Sequence, residues 1–480
     1  MEKKFTETAL FKTLVCLGLG AIVYFLIPVP EFLQEHARAE TNWRLLAIFV
    51  ATLAALILAP LPMGAIAIIA IATVTITRTV LPIGVALSGF SDGIIWLIVS
   101  AFLISRGFIK TGLGERIAYL FMSKLGKKTL GLTYSLVLAD LVIAPTTPSN
   151  TARAGGIIFP IVRSLNDAYN SKTEDGTQKR LASFLTYTIF QTDNVICSMF
   201  LTAMAASGAA VAIASSQFGI EITWAGWFLA ALVPGIITVL LVPLFLYKIY
   251  PPEIKETPQA VEMAKQRLSE LGKMKPDEWK MIGVFVMLLT MWILSAQLNI
   301  NATVTAFCGL AVMLITKVLT IEDIKTEKEA WNTLIWFAVL VMMATQLNVQ
   351  GIIPWITESV AGGIGDVNWV AAFIIICVVY YYSHYLFASA TAHVAAMYAA
   401  MVGVAIAVGV PPMLAALVIA FITNLHMGIT HYGTGPAPVY FGPGYVTLGR
   451  WWGNAFLLSL IHLLIWFPIG LLWWRILGHW

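Results

Sequence analysis

The chain has 480 residues, 59% of them hydrophobic and only 11% charged, whereas soluble chains carry about a quarter charged residues; an ordinary soluble globular protein is excluded. Its formal net charge of +4 is small and falls in loops between apolar stretches, so no nucleic-acid partner is expected. Cys16, Cys197, Cys308 and Cys377 are far apart in apolar runs without CxxC or Cys/His spacing; they read as core filler, and neither cofactor nor metal is expected.

A helix crosses the hydrocarbon with about 20 apolar residues. The first such run, 12–28, follows Lys3, Lys4 and Lys12 and superficially resembles a secretory signal, but Pro28-Val-Pro30 stands where a small-residue cleavage site would be. It is expected to be a retained first helix, and with no Arg/Ser-rich leader before it, insertion into a bacterial plasma membrane is expected. Further spans follow at 43–60, 63–80 and 93–113. The stretch 132–163 is apolar but interrupted by Pro145-Thr-Thr-Pro-Ser-Asn-Thr151, which predicts a helical hairpin entering and leaving on one side. Next come a span at 182–214, broken at Thr202, and one at 223–247. The polar segment Lys248 to Lys280, with Pro251-Pro252 and an amphipathic stretch from Glu262 to Leu271, reads as a cytoplasmic linker, 251–278, between halves 1–250 and 279–480. The second half offers spans at 279–297, 302–318 and 331–350, a second hairpin at 367–402 interrupted at Ser389-Ala-Thr391, a span at 411–440 broken at Thr434 within Gly433-Thr-Gly-Pro-Ala-Pro438, and a last span at 454–476. The expected fold is an all-α polytopic membrane protein of about 11 transmembrane helices plus two re-entrant hairpins.

With the N-terminus in the cytoplasm, Arg38, Arg44, Arg78 and Arg475 lie outside or at the outer boundary and the other Lys and Arg residues fall in the inner half, the orientation the positive-inside rule selects. The first hairpin then enters from the cytoplasm and the second from outside. Each half carries a hairpin followed by a broken span, so the halves form an inverted repeat, the common plan of secondary transporters.

Helix-breaking sequence survives at membrane depth only where it lines a cavity or is buried in protein, and half-helix N-termini with freed amides suit carboxylates. Ser149, Asn150 and Thr151 supply donors at the first tip, and Ser389 and Thr391 at the second. Thr202 and Thr434 stand at the two broken spans. The alternative for the tip residues is plain helix capping. Arg153 and His393 each lie two residues beyond a tip motif and are candidate charge-compensating groups; a snorkelling Arg and a packing His are the alternatives. Asp193 and Asn194 suggest a polar pathway or interhelical hydrogen bonding. Asp92, Arg106, Asp140, His384, His426 and His431 are expected to be structural or interfacial.

The stretches Gly107-Phe-Ile-Lys-Thr-Gly-Leu-Gly114, Pro148-Ser-Asn-Thr-Ala-Arg-Ala-Gly-Gly156, Ser198-Met-Phe-Leu-Thr-Ala-Met-Ala-Ala206, His384-Tyr-Leu-Phe-Ala-Ser389 and Thr430-His-Tyr-Gly-Thr-Gly-Pro436 resemble the divalent anion:sodium symporter family over nearly the whole chain. Within it they resemble the branch of 2-oxoglutarate/malate translocators and citrate/succinate antiporters. The resemblance implies a homodimer in which a transport part moves by an elevator motion against a static scaffold, with dicarboxylate held between hairpin tips and broken helices in contact with membrane lipid. Sodium-coupled relatives carry Ser-Asn-Thr at both tips, whereas Ala390 replaces the second Asn here. Exchange-type relatives resemble this chain in the Ala-Arg and Ala-His that follow the motifs, so sodium-independent exchange is expected, a sodium-coupled dicarboxylate or citrate importer being the alternative. No GxSxG, HExxH or P-loop motif supports a membrane enzyme, and hairpins in inverted repeats favour alternating access over an ion channel.

Overall fold

The computed structural model describes residues 9–29, 39–77, 81–352, 355 and 368–480. Lys3, Lys4, Arg38 and Arg78, the end of the span expected at 63–80, and residue 367 lie outside the described residues. Every regular element among those described is helical, with one isolated bridge between Lys128 and Glu256.

Among the described residues, eight helices are long and apolar enough to cross a membrane: Gly93–Thr111, Thr129–Thr146, Trp224–Ile249, Lys328–Val349, Trp369–Leu386, Ala390–Ala407, Pro412–Ile429 and Leu448–Ile476. Shorter apolar helices add Ala9–Phe25, Met63–Ile76 and Ala302–Ile315. Their outward faces show Leu14, Ile69, Leu240, Phe307 and Leu464; such a surface suits hydrocarbon, not water. The protein is a multi-pass membrane protein.

Local chemistry sets the helix ends. The helix α1 (Gly93–Thr111) starts at Asp92, whose carboxylate accepts from the amides of Ile94 at 2.8 Å and Ile95 at 3.1 Å, and stops at Gly112 with φ 75°. Asp92 is thus an N-cap, a structural role. Its successor α2 (Leu113–Leu125), absent from the sequence-based expectation, is amphipathic and packs against the linker helix α3 (Pro258–Leu271). Arg116 of α2 donates to Glu278 and to the carbonyls of Leu271 and Gly272, so the polar segment is folded onto the first half.

Two differences concern the breaks. The helix α4 (Pro412–Leu425) ends well before Thr434: a 3-10 turn, His426–Ile429, follows it, and irregular chain continues to Pro436. The turn needs glycine at 428, since a Cβ there would lie 2.2 Å from Gln191 Oε1. The last span begins at Leu448, not 454, and bends at Pro468, which cannot donate to the preceding turn. The expected break at Thr202 is present: α5 (Ala182–Met199) and α6 (Ala205–Phe218) flank a 3-10 turn, Leu201–Ala203.

Candidate functional site

Both interrupted stretches have the same order of local structure. The helix α7 (Thr129–Ile143) passes into a 3-10 turn, Ala144–Thr146, then irregular chain, and resumes as a π-turn at Thr151–Ile158 and helix Phe159–Ala168. The helix α8 (Trp369–Ser383) passes into a 3-10 turn, His384–Leu386, and resumes through Ala390–His393, a π-turn at Val394–Tyr398 and helix Ala399–Ala407. Pro145 and Pro148 remove two amide donors from the first tip. At each tip a serine caps the returning helix: Ser149 Oγ accepts from the Ala152 amide at 3.1 Å, and Ser389 Oγ from the Ala392 amide at 3.4 Å. Capping is therefore real at both serines.

Capping does not use up the donors. Ser149 Oγ accepts without donating to another described residue, and Thr151 Oγ1 has no hydrogen-bond partner among them. Ser389 and Thr391 share one hydrogen bond of 2.8 Å between their hydroxyls, which leaves one hydroxyl hydrogen unspent. Asn150 Nδ2 donates to Thr434 Oγ1 at 3.0 Å, and Thr434 in turn has its own hydrogen to give. Ser149, Thr151, Ser389 and Thr391 are at least partly exposed, while Asn150 and Thr434 are buried; hydroxyls and an amide are the set that an anionic oxygen accepts from.

The irregular chain after α4 links the two tips. Thr434 holds Asn150 of the first tip, while the carbonyl of its neighbour Gly433 accepts from His384 Nε2, at 3.0 Å, behind the second. Gly435 presses on Thr151: a Cβ at Gly435 would sit 2.1 Å from Thr151 Oγ1. No hydrogen bond runs directly from one tip to the other among the described residues.

Thr202 is placed differently from Thr434. Its hydroxyl donates to the carbonyl of Pro145 and accepts from Trp224 Nε1 at 2.9 Å, so it fastens the broken span to the first hairpin.

Arg153 is fully buried, and all five of its N–H groups are taken. Nε donates to Asp140 at 2.6 Å, Nη1 to the carbonyls of Thr147 at 2.8 Å and Ala203 at 3.1 Å, and Nη2 to Asp193 at 2.6 Å and Cys197 Sγ at 3.1 Å. The guanidinium points into the protein, where two carboxylates offset it, and its N–H groups are all engaged by the protein. A buried cation without partners costs several kcal/mol, so such a cage is what the position demands. Asp140 and Asp193 are its counter-charges.

His393 is buried as well. It lies in a cluster with His384 and His426, whose nitrogens fall within 4.8 Å of one another. Sequence reasoning weighed these three separately and did not foresee the cluster, because no fixed spacing joins positions on three different segments.

Several buried polar groups near the breaks lack hydrogen-bond partners among the described residues: both side-chain atoms of Asn194, Asn424 Oδ1 and Thr430 Oγ1. Buried polar atoms are nearly always satisfied, so these positions stand out from the surrounding core. Asn194 was legible as an amide in an apolar run. Asn424 and Thr430 were not, because the break was expected further on.

The model for the sodium:sulfate symporter transmembrane region matches residues 7–480. The chain is 51% identical over 477 residues to "Putative malate transporter YflS" of Bacillus subtilis (strain 168), covering 99% of this chain and 98% of that protein. It is 44% identical over 477 residues to "Dicarboxylate transporter 1, chloroplastic" of Spinacia oleracea, covering 99% of this chain and 83% of that one. Among solved structures, MtrF of Neisseria gonorrhoeae superposes with a TM-score of 0.57 at 14% identity over 97% of this chain and 94% of its own, and the YdaH transporter of Alcanivorax borkumensis with 0.57 at 12% identity over 98% and 97%. At those identities the likeness is one of fold.

Proposed function

The chain belongs to the divalent anion:sodium symporter family, a family of transporters and not of enzymes, and we propose that it exchanges dicarboxylates of the malate, succinate and 2-oxoglutarate type across a plasma membrane, independently of sodium. The named relatives support the substrate class: one is called a malate transporter and another a dicarboxylate transporter. The observation that carries the reading is the pair of serine-capped tips: among the described residues Ser149 donates to none, and the Ser389–Thr391 pair keeps one hydroxyl hydrogen unspent. Each tip binds one carboxylate. Ser149, Asn150 and Thr151 serve the first with Thr434, Ser389 and Thr391 serve the second, and Thr202 holds the first tip in place.

Residues 1–250 and 279–480 form the two inverted-repeat halves, joined by the linker 251–278. The support is the shared order of 3-10 turn, serine cap and π-turn, with Ala144 and His384 separated by the same interval as Ser149 and Ser389. The halves work as an elevator in a homodimer, with the N-terminus cytoplasmic. An apolar groove of about 210 Å³ supports the sliding surface: Leu53, Phe337 and Leu340 face Ala396, Ala399 and Ala400 of the second hairpin, and small residues let one helix pass another with little interlocking.

Exchange is favoured over sodium coupling by the second tip. Ala390 replaces the amide found in sodium-coupled relatives, and buried histidines occupy the space behind it. The test is uptake of labelled malate into proteoliposomes. Uptake into vesicles preloaded with unlabelled dicarboxylate, with or without sodium, is the expected result; substantial sodium-driven uptake into empty vesicles overturns exchange and supports the importer.

A further inference from the structure

The three histidines behind the second tip have a hydrogen-bond logic that fixes their protons. His384 Nε2 faces the carbonyl of Gly433 at 3.0 Å. A carbonyl only accepts, so this nitrogen carries a hydrogen. His393 Nε2 faces Ser383 Oγ at 2.9 Å, and that hydroxyl gives its own hydrogen to the Tyr380 carbonyl, also at 2.9 Å. His393 Nε2 is therefore a donor too. In the neutral rings both Nδ1 atoms are then lone pairs, and they face each other at 3.3 Å. His426 Nε2 approaches the same point, 2.9 Å from His393 Nδ1. The other nitrogen of His426 has no partner among the described residues, so none of them dictates which of its nitrogens holds the hydrogen.

Two facing lone pairs repel unless an electrophile lies between them. A hydrogen on His426 Nε2 satisfies His393 alone and leaves His384 opposed. We propose that Nδ1 of His384, Nδ1 of His393 and Nε2 of His426 form a buried site for one divalent transition-metal ion of the zinc class.

Three features match that chemistry. Neutral imidazole is a preferred ligand of zinc and its neighbours. Metal–nitrogen bonds of about 2.0–2.1 Å in a tetrahedron put ligand nitrogens about 3.3 Å apart, against 2.9 and 3.3 Å for two of the separations here. The non-ligating nitrogens of His384 and His393 already donate to a backbone carbonyl and a hydroxyl, the outer contacts that orient ligand imidazoles. The third pair of nitrogens lies within 4.8 Å, and binding requires the His426 ring, stacked on His384 with centroids 3.9 Å apart, to turn toward the ion. Three ligands leave a fourth position for water or a carboxylate oxygen. Gly433 is part of the design, because a Cβ there would lie 2.7 Å from His384 Nε2 and force the carbonyl away.

The site is tested without any transport measurement, so it stands or falls independently of the exchange reading. Full-length protein in detergent, with any polyhistidine tag removed and metals stripped by chelator, is titrated with Co²⁺ and separately with Zn²⁺. The expected result is the visible absorption of tetrahedral Co²⁺ saturating at one ion per chain, its loss on adding Zn²⁺, and one zinc per chain by elemental analysis after desalting. His426→Ala and His393→Gln abolish this signal, Ser383→Ala weakens affinity by about 10- to 100-fold, and His431→Ala with His479→Ala leaves it intact. Wild type decides the matter even if a histidine variant fails to fold: no saturable one-to-one Co²⁺ absorption at micromolar ion overturns the site. Signal retained in a folded His426→Ala protein overturns it equally.

Discussion

Asn150 and Thr434, far apart in sequence, meet side chain to side chain at 3.0 Å, so the amide of the first tip is oriented by the irregular chain that follows α4. That contact makes the two residues a unit. Losing a hydrogen bond to a charged group costs about 1.5–3 kcal/mol. Asn150→Ala and Thr434→Val are each expected to raise the half-saturation concentration for malate by about 10-fold or more, and the double variant to do little worse than either alone. Additive losses in a counterflow assay would mean that the two act separately.

Thr202→Val separates support from contact. The hydroxyl is spent on Pro145 and Trp224, and removing it orphans buried groups at a cost of about 1–3 kcal/mol. Thermal unfolding in detergent should fall, while the half-saturation concentration of the surviving protein stays near wild type. A large affinity change at unchanged stability would move Thr202 to the substrate.

Gly435→Ala forces a Cβ to within 2.1 Å of Thr151 Oγ1. Overpacking of this kind costs about 1–3 kcal/mol, and the first tip has to shift to relieve it. Adding Thr151→Ala removes the clashing atom, so the double variant should recover the melting temperature. Failure to recover would show that the strain lies in the backbone instead.

Arg153→Met should destabilise more than any of these, by about 3–5 kcal/mol, because it strands Asp140 and Asp193 without their cation. Combining it with Asp140→Asn and Asp193→Asn should restore much of the fold. If Arg153→Met is instead stable and merely leaks substrate into empty vesicles, the residue gates charge movement and is not a strut.

How much of this was legible in sequence follows from range. Breaks at Pro145-Thr-Thr-Pro148 and at Thr202 were readable because proline and clustered small polar residues stop a helix locally. The tip serines were readable for the same reason, since a cap is a contact over three residues. By contrast, the five partners of Arg153 come from α7, the tip, α5 and the turn after it, and the histidines from three segments. No local pattern encodes such meetings. α2 escaped notice because its apolar residues cover one face only, too few in a row to suggest a span. The break after Leu425 was put too late because Gly433-Thr-Gly-Pro436 is the louder signal, whereas the need for glycine at 428 comes from its contacts with Gln191 and Asn194 on another helix.

The caged guanidinium also limits how the protein can open. Its bonds pin the first tip to α5 and to the turn at Ala203 simultaneously, in surroundings with little water to replace them. Swinging that tip outward like a hinged flap would tear several charge-assisted bonds at once, each roughly twice as strong as its neutral counterpart. On the proposed elevator reading, the first hairpin and its broken span would travel as one solid block, and the parting plane would lie along the alanine-lined groove.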